Sequence, residues 1–129
     1  MQKIYRVIDA NFNRVKEGLR VIEEYFRFII ENPEVTKNIK QIRHELSQIV
    51  DEKMLKECVR QRDVENDFIS KEFIETEIFR KDAKAVVCAN FQRVKEGLRV
   101  LEEYIKIVDA KKAQEIQGLR FRVYQEEMK

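Results

Sequence analysis

The chain has 129 residues, with 26 basic and 24 acidic side chains, a net charge of +2, three glycines and one proline. That length supports one domain with a buried core. The scarcity of turn formers, with 39% charged and 43% hydrophobic residues, favours amphipathic helices over sheets. Charges of both signs are interleaved, which disfavours nucleic-acid binding as the main role. No apolar stretch suits a signal peptide or a membrane span, so a soluble cytoplasmic protein is expected.

Taken in chain order, the periodicity predicts a first helix from about Gln2 to Ile30. It should stop at Asn32 and Pro33, because proline restrains the residue before it and lacks a helical donor. A second helix is predicted from about Glu34 to Ile49, continuing with a kink through Glu57. A connecting loop is expected over about 58–76, since periodicity fades there and Asp and Asn cluster in RQRDVENDF. Thr76 is a candidate cap for a long third helix reaching Val108, and a fourth runs from Lys111 to about Glu127. Cys58 and Cys88 have no second cysteine or histidine at ligand spacing, so neither a zinc site nor a disulfide framework is indicated, and a reducing compartment fits.

An internal repeat organises these elements. ANFNRVKEGLRVIEEY at Ala10 to Tyr25 returns as ANFQRVKEGLRVLEEY at Ala89 to Tyr104, differing only at Asn13/Gln92 and Ile22/Leu101. A fainter echo follows each copy, with Ile39, Ile42 and Arg43 matched by Ile116, Leu119 and Arg120. The repeated unit is a helix pair. The expected architecture is therefore an all-α, pseudo-twofold duplicated helical hairpin, a four- to six-helix bundle forming one domain over 1–129, with repeat halves at about 1–50 and 77–129.

On a helical wheel Phe12, Val15, Leu19, Ile22, Phe26 and Ile30 form one stripe, as do Phe91, Val94, Leu98, Leu101 and Ile105; both read as core. Beside them lie Asn11, Arg14, Gly18, Val21 and Tyr25, matched by Asn90, Arg93, Gly97, Val100 and Tyr104. Glycine inside a helix costs roughly 1 kcal/mol relative to alanine, so its recurrence marks a close approach to the backbone, by another helix or by a ligand. For the glycines alone a helix crossing is the favoured reading. Arg14 and Arg93, beside an apolar stripe, need an anion, either Glu17 and Glu96 one turn away or a phosphate, which suits the guanidinium fork. Lys16, Arg20, Glu23 and Glu24 recur as Lys95, Arg99, Glu102 and Glu103. These are read as a solvated face with pairs three or four residues apart, most firmly at Lys16 and Glu23. His44, the lone histidine, receives no role, and Ser47 and Ser70 lack a visible base partner, which disfavours a hydrolase triad. In the loop, Arg60, Arg62, Asp63, Glu65 and Asp67 cluster. They read either as a polar turn or as oxygen ligands for magnesium with arginines for its phosphates.

These residues together resemble the small helical hydroxymethylpyrimidine-phosphate kinases of thiamine biosynthesis, found alone or fused ahead of thiamine-phosphate synthase. The resemblance rests on Arg6, Asp9-Ala-Asn11, Arg14, Glu17-Gly-Leu-Arg20-Val with Glu23 and Glu24, and on the central Arg62-Asp63 with Asp67. It continues through Asn90, Arg93, Glu96-Gly-Leu-Arg99-Val-Leu-Glu102-Glu103-Tyr104 and the closing Leu119-Arg120-Phe-Arg122-Val-Tyr124. It covers nearly the whole chain and points to the stand-alone form. One departure is Asp67-Phe68-Ile69-Ser70, where the family usually has a small hydrophobic residue and glycine.

The resemblance implies transfer of the γ-phosphoryl group of ATP, with Mg2+, to 4-amino-5-hydroxymethyl-2-methylpyrimidine phosphate. It implies catalytic roles for Arg62, Asp63 and Asp67, with Asp67 and Asp63 holding the metal. Substrate or nucleotide would be bound by Asn11, Arg14, Glu17, Gly18, Arg20 and Tyr25, by their counterparts Asn90, Arg93, Glu96, Gly97, Arg99 and Tyr104, and by Arg120. No GxxxxGK[ST] loop is present, so phosphates would fall to side chains and helix N-termini. The competing expectation is a non-catalytic helical adaptor that docks on a thiamine-biosynthetic enzyme, or on itself as a homo-oligomer, through the repeated Glu/Arg face.

Overall fold

Apolar side chains at three- and four-residue spacing build an all-helical bundle. The structure is a computed structural model describing residues 2–62 and 80–129. Its helices are α1 (Gln2–Glu24), α2 (Pro33–Ile49), α3 (Glu52–Gln61), α4 (Ala83–Val108) and α5 (Ala110–Glu127). No helix among the described residues is long and apolar enough to cross a membrane.

The helix ends are set by short side chains placed where free backbone donors need acceptors. Asn32 accepts from Val35 N–H at 3.1 Å and Asp51 from Met54 N–H at 3.1 Å, while Pro33 takes the first helical position, where its missing donor costs nothing. Asp51 therefore starts a separate helix, α3, where one kinked continuation of the second helix was expected. α3 runs through Gln61, into the segment read as loop. Asp82, not Thr76, caps α4, accepting from Ala85 N–H at 2.8 Å; Thr76 lies outside the described residues. The first helix also departs from expectation, because after Glu24 it widens into a π-turn over Tyr25–Ile29, with Ile30 N–H reaching Tyr25 O at 3.1 Å. The extra residue in that turn rotates the end of the helix, so Ile30, expected in the core, is exposed.

Phe26 is only partly buried against the core, and the rest of the predicted core is buried, with Phe12, Val15, Leu19 and Ile22 meeting Phe91, Val94, Leu98 and Leu101. The two copies, α1 and α4, make the most extensive helix contact; α2 packs on α1, α5 on α4, and α2 on α5. This is a pseudo-twofold pair of hairpins, with α3 on α1 as the element outside the symmetry.

The crossing of α1 and α4 is reciprocal. A Cβ built on Gly18 would lie 2.7 Å from Val94 Cγ2, and one on Gly97 would lie 2.5 Å from Val15 Cγ2. Moving forward along α1 from Val15 to Gly18 moves the contact backward along α4 from Gly97 to Val94, so the helices run antiparallel. The glycines are thus the helix-crossing kind. Gly97→Ala should lower stability by about 1–2 kcal/mol, overpacking exceeding the helix-propensity gain. Gly118→Ala, with nothing within 4 Å, should raise it by about 0.5–1 kcal/mol. Urea denaturation reads both, and equal shifts of one sign would show that the crossing has slack.

Candidate functional site

Because the crossing is symmetric, each repeated arginine directly precedes the valine that fills the opposite helix's glycine. Arg14 precedes Val15 at Gly97, and Arg93 precedes Val94 at Gly18. Both arginines are exposed, and neither forms an ion pair among the described residues. Glu17 and Glu96, the alternative anions on the same helices, are also exposed and leave them unpaired. The asparagines line the same crossing. Asn11 Nδ2 donates to Val7 O at 2.9 Å and Asn90 Nδ2 to Val86 O at 2.8 Å, fixing each amide while its Oδ1 faces the opposite glycine.

The other candidates divide. Arg20 pairs with Glu24 at 3.0 Å, and Arg99 with Glu103 at 3.0 Å, each on its own exposed helix face. Tyr25 opens the π-turn with its ring edge-on to Phe26 at 5.1 Å, and Tyr104 is exposed. Arg120 turns inward, donating to Glu102 at 2.9 Å. Its counterpart Arg43 donates to Glu23 at 3.1 Å. Glu23 is 3% exposed and Glu102 2% exposed, so the solvated-face reading of Glu23 is overturned: both acids are buried and tie each long helix to its short partner. The available signal was the paired echo itself, a glutamate in each copy and an arginine in each following helix.

Arg62, at the end of α3, grips Asp9 with two bonds, 2.8 Å from Nε and 2.7 Å from an Nη nitrogen. Asp9 is buried and also accepts from Asn13 at 3.1 Å, and it holds the Arg62 guanidinium above its ordinary pKa. With its oxygens so engaged, Asp9 is a poor magnesium ligand. No three metal-ligating side chains gather among the described residues. Asp63 and Asp67 lie outside the described residues. Beneath this pair, burial first and the Asp9 charge second push the Cys58 thiol up to about 11, so it stays protonated at neutral pH. Cys88, Asp9's counterpart in the second copy, is exposed. A thiol reagent at pH 7 should accordingly label Cys88 alone in the native protein and Cys58 only after unfolding. Rapid double labelling, read by mass spectrometry, would contradict this burial.

Residues 6–129 match the ThiD2 family along nearly their whole length. The chain belongs to the ThiD2 family. Among curated relatives, this ThiD2 chain is 40% identical over 121 residues to the thiamine-phosphate synthase of Synechocystis sp., covering 94% of itself and 34% of that protein. It is 38% identical over 123 residues to that of Nostoc punctiforme, covering 95% and 34%. To that of Rhodopirellula baltica it is 34% identical over 121 residues, covering 94% and 32%. The chain thus spans about a third of the length of these relatives. No solved structure matches it.

Proposed function

We propose that this ThiD2 chain works in thiamine biosynthesis as a hydroxymethylpyrimidine-phosphate kinase. It would pass the γ-phosphoryl group of ATP to 4-amino-5-hydroxymethyl-2-methylpyrimidine phosphate. The observation that carries the reading is the pair of exposed guanidiniums, Arg14 and Arg93, with no carboxylate partner among the described residues, set at one helix crossing by the duplication.

The acceptor is a phosphate monoester with a second pKa near about 6, so at neutral pH its oxygen is already anionic. It attacks the γ-phosphorus directly, the bond to the bridging oxygen breaks, and ADP leaves with that electron pair. No proton has to be removed, so a site without histidine suffices. What the reaction requires is positive charge that draws two anions together and spreads over a loose transition state. Arg14 and Arg93 supply it at the crossing, with Asn11 and Asn90 as polar wall and Tyr25 or Tyr104 beside the pyrimidine. Asp67 with Asp63 would hold magnesium, which would supply further positive charge toward the nucleotide's phosphates.

The adaptor reading needs the repeated Glu/Arg face at the surface; Glu23 and Glu102 of that face are buried, which leaves Arg20, Glu24, Arg99 and Glu103 to form it. Isothermal titration separates the two readings. A kinase binds the pyrimidine phosphate and magnesium-nucleotide unaided, whereas binding of neither by the folded chain leaves the adaptor.

A further inference from the structure

The two elbows of the duplicated fold are unlike. Between α4 and α5 the chain turns on Asp109 alone, whose N–H reaches Ile105 O at 2.7 Å and whose side chain accepts from Lys112 N–H at 3.1 Å. Between α1 and α2 the π-turn is followed by Glu31 at φ 58°, and Asn32 N–H reaches back to Phe26 O at 2.9 Å. This wider elbow borders an open hollow of about 520 Å3, with Glu23, Arg27, Glu31, Thr36, Lys37 and Lys40 in its lining. That volume lies within the roughly 300–1,000 Å3 of small-ligand sites.

Its charge is as uneven as its shape. The repeat sets Lys106 in the second half opposite Arg27, and Gln114 and Gln117 opposite Lys37 and Lys40. There Gln117 donates to the buried Glu102 at 3.2 Å and Lys106 pairs with Glu103 at 3.1 Å, which satisfies that elbow internally. In the first half, Arg27, Lys37 and Lys40 form no ion pair among the described residues, although Arg27 lies 4.8 Å over the Phe28 ring. Of the two acids in the lining, Glu23 is engaged by Arg43, leaving Glu31 against three cations. The first amides of α2 contribute little, since Pro33 has none and Val35 and Thr36 donate to Asn32.

We propose that this hollow binds a phosphate ester, its phosphate held by Arg27, Lys37 and Lys40, as a second anion site separate from the crossing. Arg14 and Arg27 are thirteen residues apart, about 20 Å along the helix at about 1.5 Å per residue, so one phosphate cannot serve both. Two esters compete for it, a nucleotide and the pyrimidine monophosphate. Only the choice between them rests on the kinase reading; the hollow's affinity for phosphate does not.

The test is isothermal titration of the full chain with pyrophosphate, with a non-hydrolysable ATP analogue plus magnesium, and with the pyrimidine monophosphate. Wild type is compared with Lys37→Gln/Lys40→Gln, both exposed positions. The double variant should melt like wild type and bind at least one probe about tenfold or more weakly, while Lys37→Arg/Lys40→Arg restores that binding. The ester that loses affinity identifies the occupant. Wild type that binds none of the probes, or a double variant that binds all three as tightly as wild type, overturns the proposal. Since this readout is binding alone, it stands apart from a turnover assay: a chain that binds a phosphate through these lysines but shows no transfer in that separate assay keeps the hollow and removes the kinase.

Discussion

Arg93→Ala is expected to lower phosphoryl transfer at saturating nucleotide by about 100-fold or more, the cost of removing one donor aimed at developing charge. Arg93 is exposed, makes no ion pair among the described residues, and fills no core position, so its loss should leave the melting temperature nearly unchanged. Any large effect on turnover must then come from the ligand. Arg93→Lys should recover part of the rate, because it keeps the charge but loses the planar fork. Arg14→Ala should behave likewise if the crossing serves one shared guest, whereas a defect in only one would mean that the copies have divided their tasks. Steady-state kinetics beside a thermal melt decide the matter, and near-normal turnover in both alanine variants would remove the crossing from the mechanism.

Arg43→Ala should be the costlier of the two arginine truncations, about 3 kcal/mol, because it leaves Glu23 charged and buried without the only partner its side chain has among the described residues. Arg120→Ala should cost less, about 2 kcal/mol, since Glu102 still accepts from Gln117 at 3.2 Å and from Arg99 at 3.4 Å. Replacing both members, Glu23→Leu with Arg43→Leu, should recover much of the loss, as an apolar pair removes the desolvated charge along with its partner. Urea denaturation of these variants beside wild type gives the differences. If Arg43→Ala and Arg120→Ala both stayed within about 0.5 kcal/mol of wild type, the buried pairs would be of the weak surface kind.

What could be read from the residues alone was whatever repeats along one helix. The apolar stripe of Phe12, Val15, Leu19 and Ile22 and its copy placed the core, and Gly18 with Gly97 announced a close crossing. Both signals are local in period and doubled in sequence. Contacts between helices were harder to see. Glu23 sits in a run of charges, and nothing within that run tells a solvated acid from one buried beneath Arg43, twenty residues on. Asp9 was likewise legible only as part of a family motif, because Arg62 reaches it from the end of α3, in a stretch expected to be loop. The π-turn had no signal either. No residue type demands it, and it arises where α1 must swing around to meet α2 at Asn32, which is also why Ile30 left the core.

The most direct measurement is ADP release by the purified chain with ATP and magnesium, comparing the pyrimidine monophosphate with the free hydroxymethylpyrimidine as acceptor. The account predicts rapid release with the phosphate, whose attacking oxygen is already anionic, and little with the alcohol, whose hydroxyl would first have to give up a proton. Equal or faster turnover of the alcohol, or none with the phosphate, would contradict it.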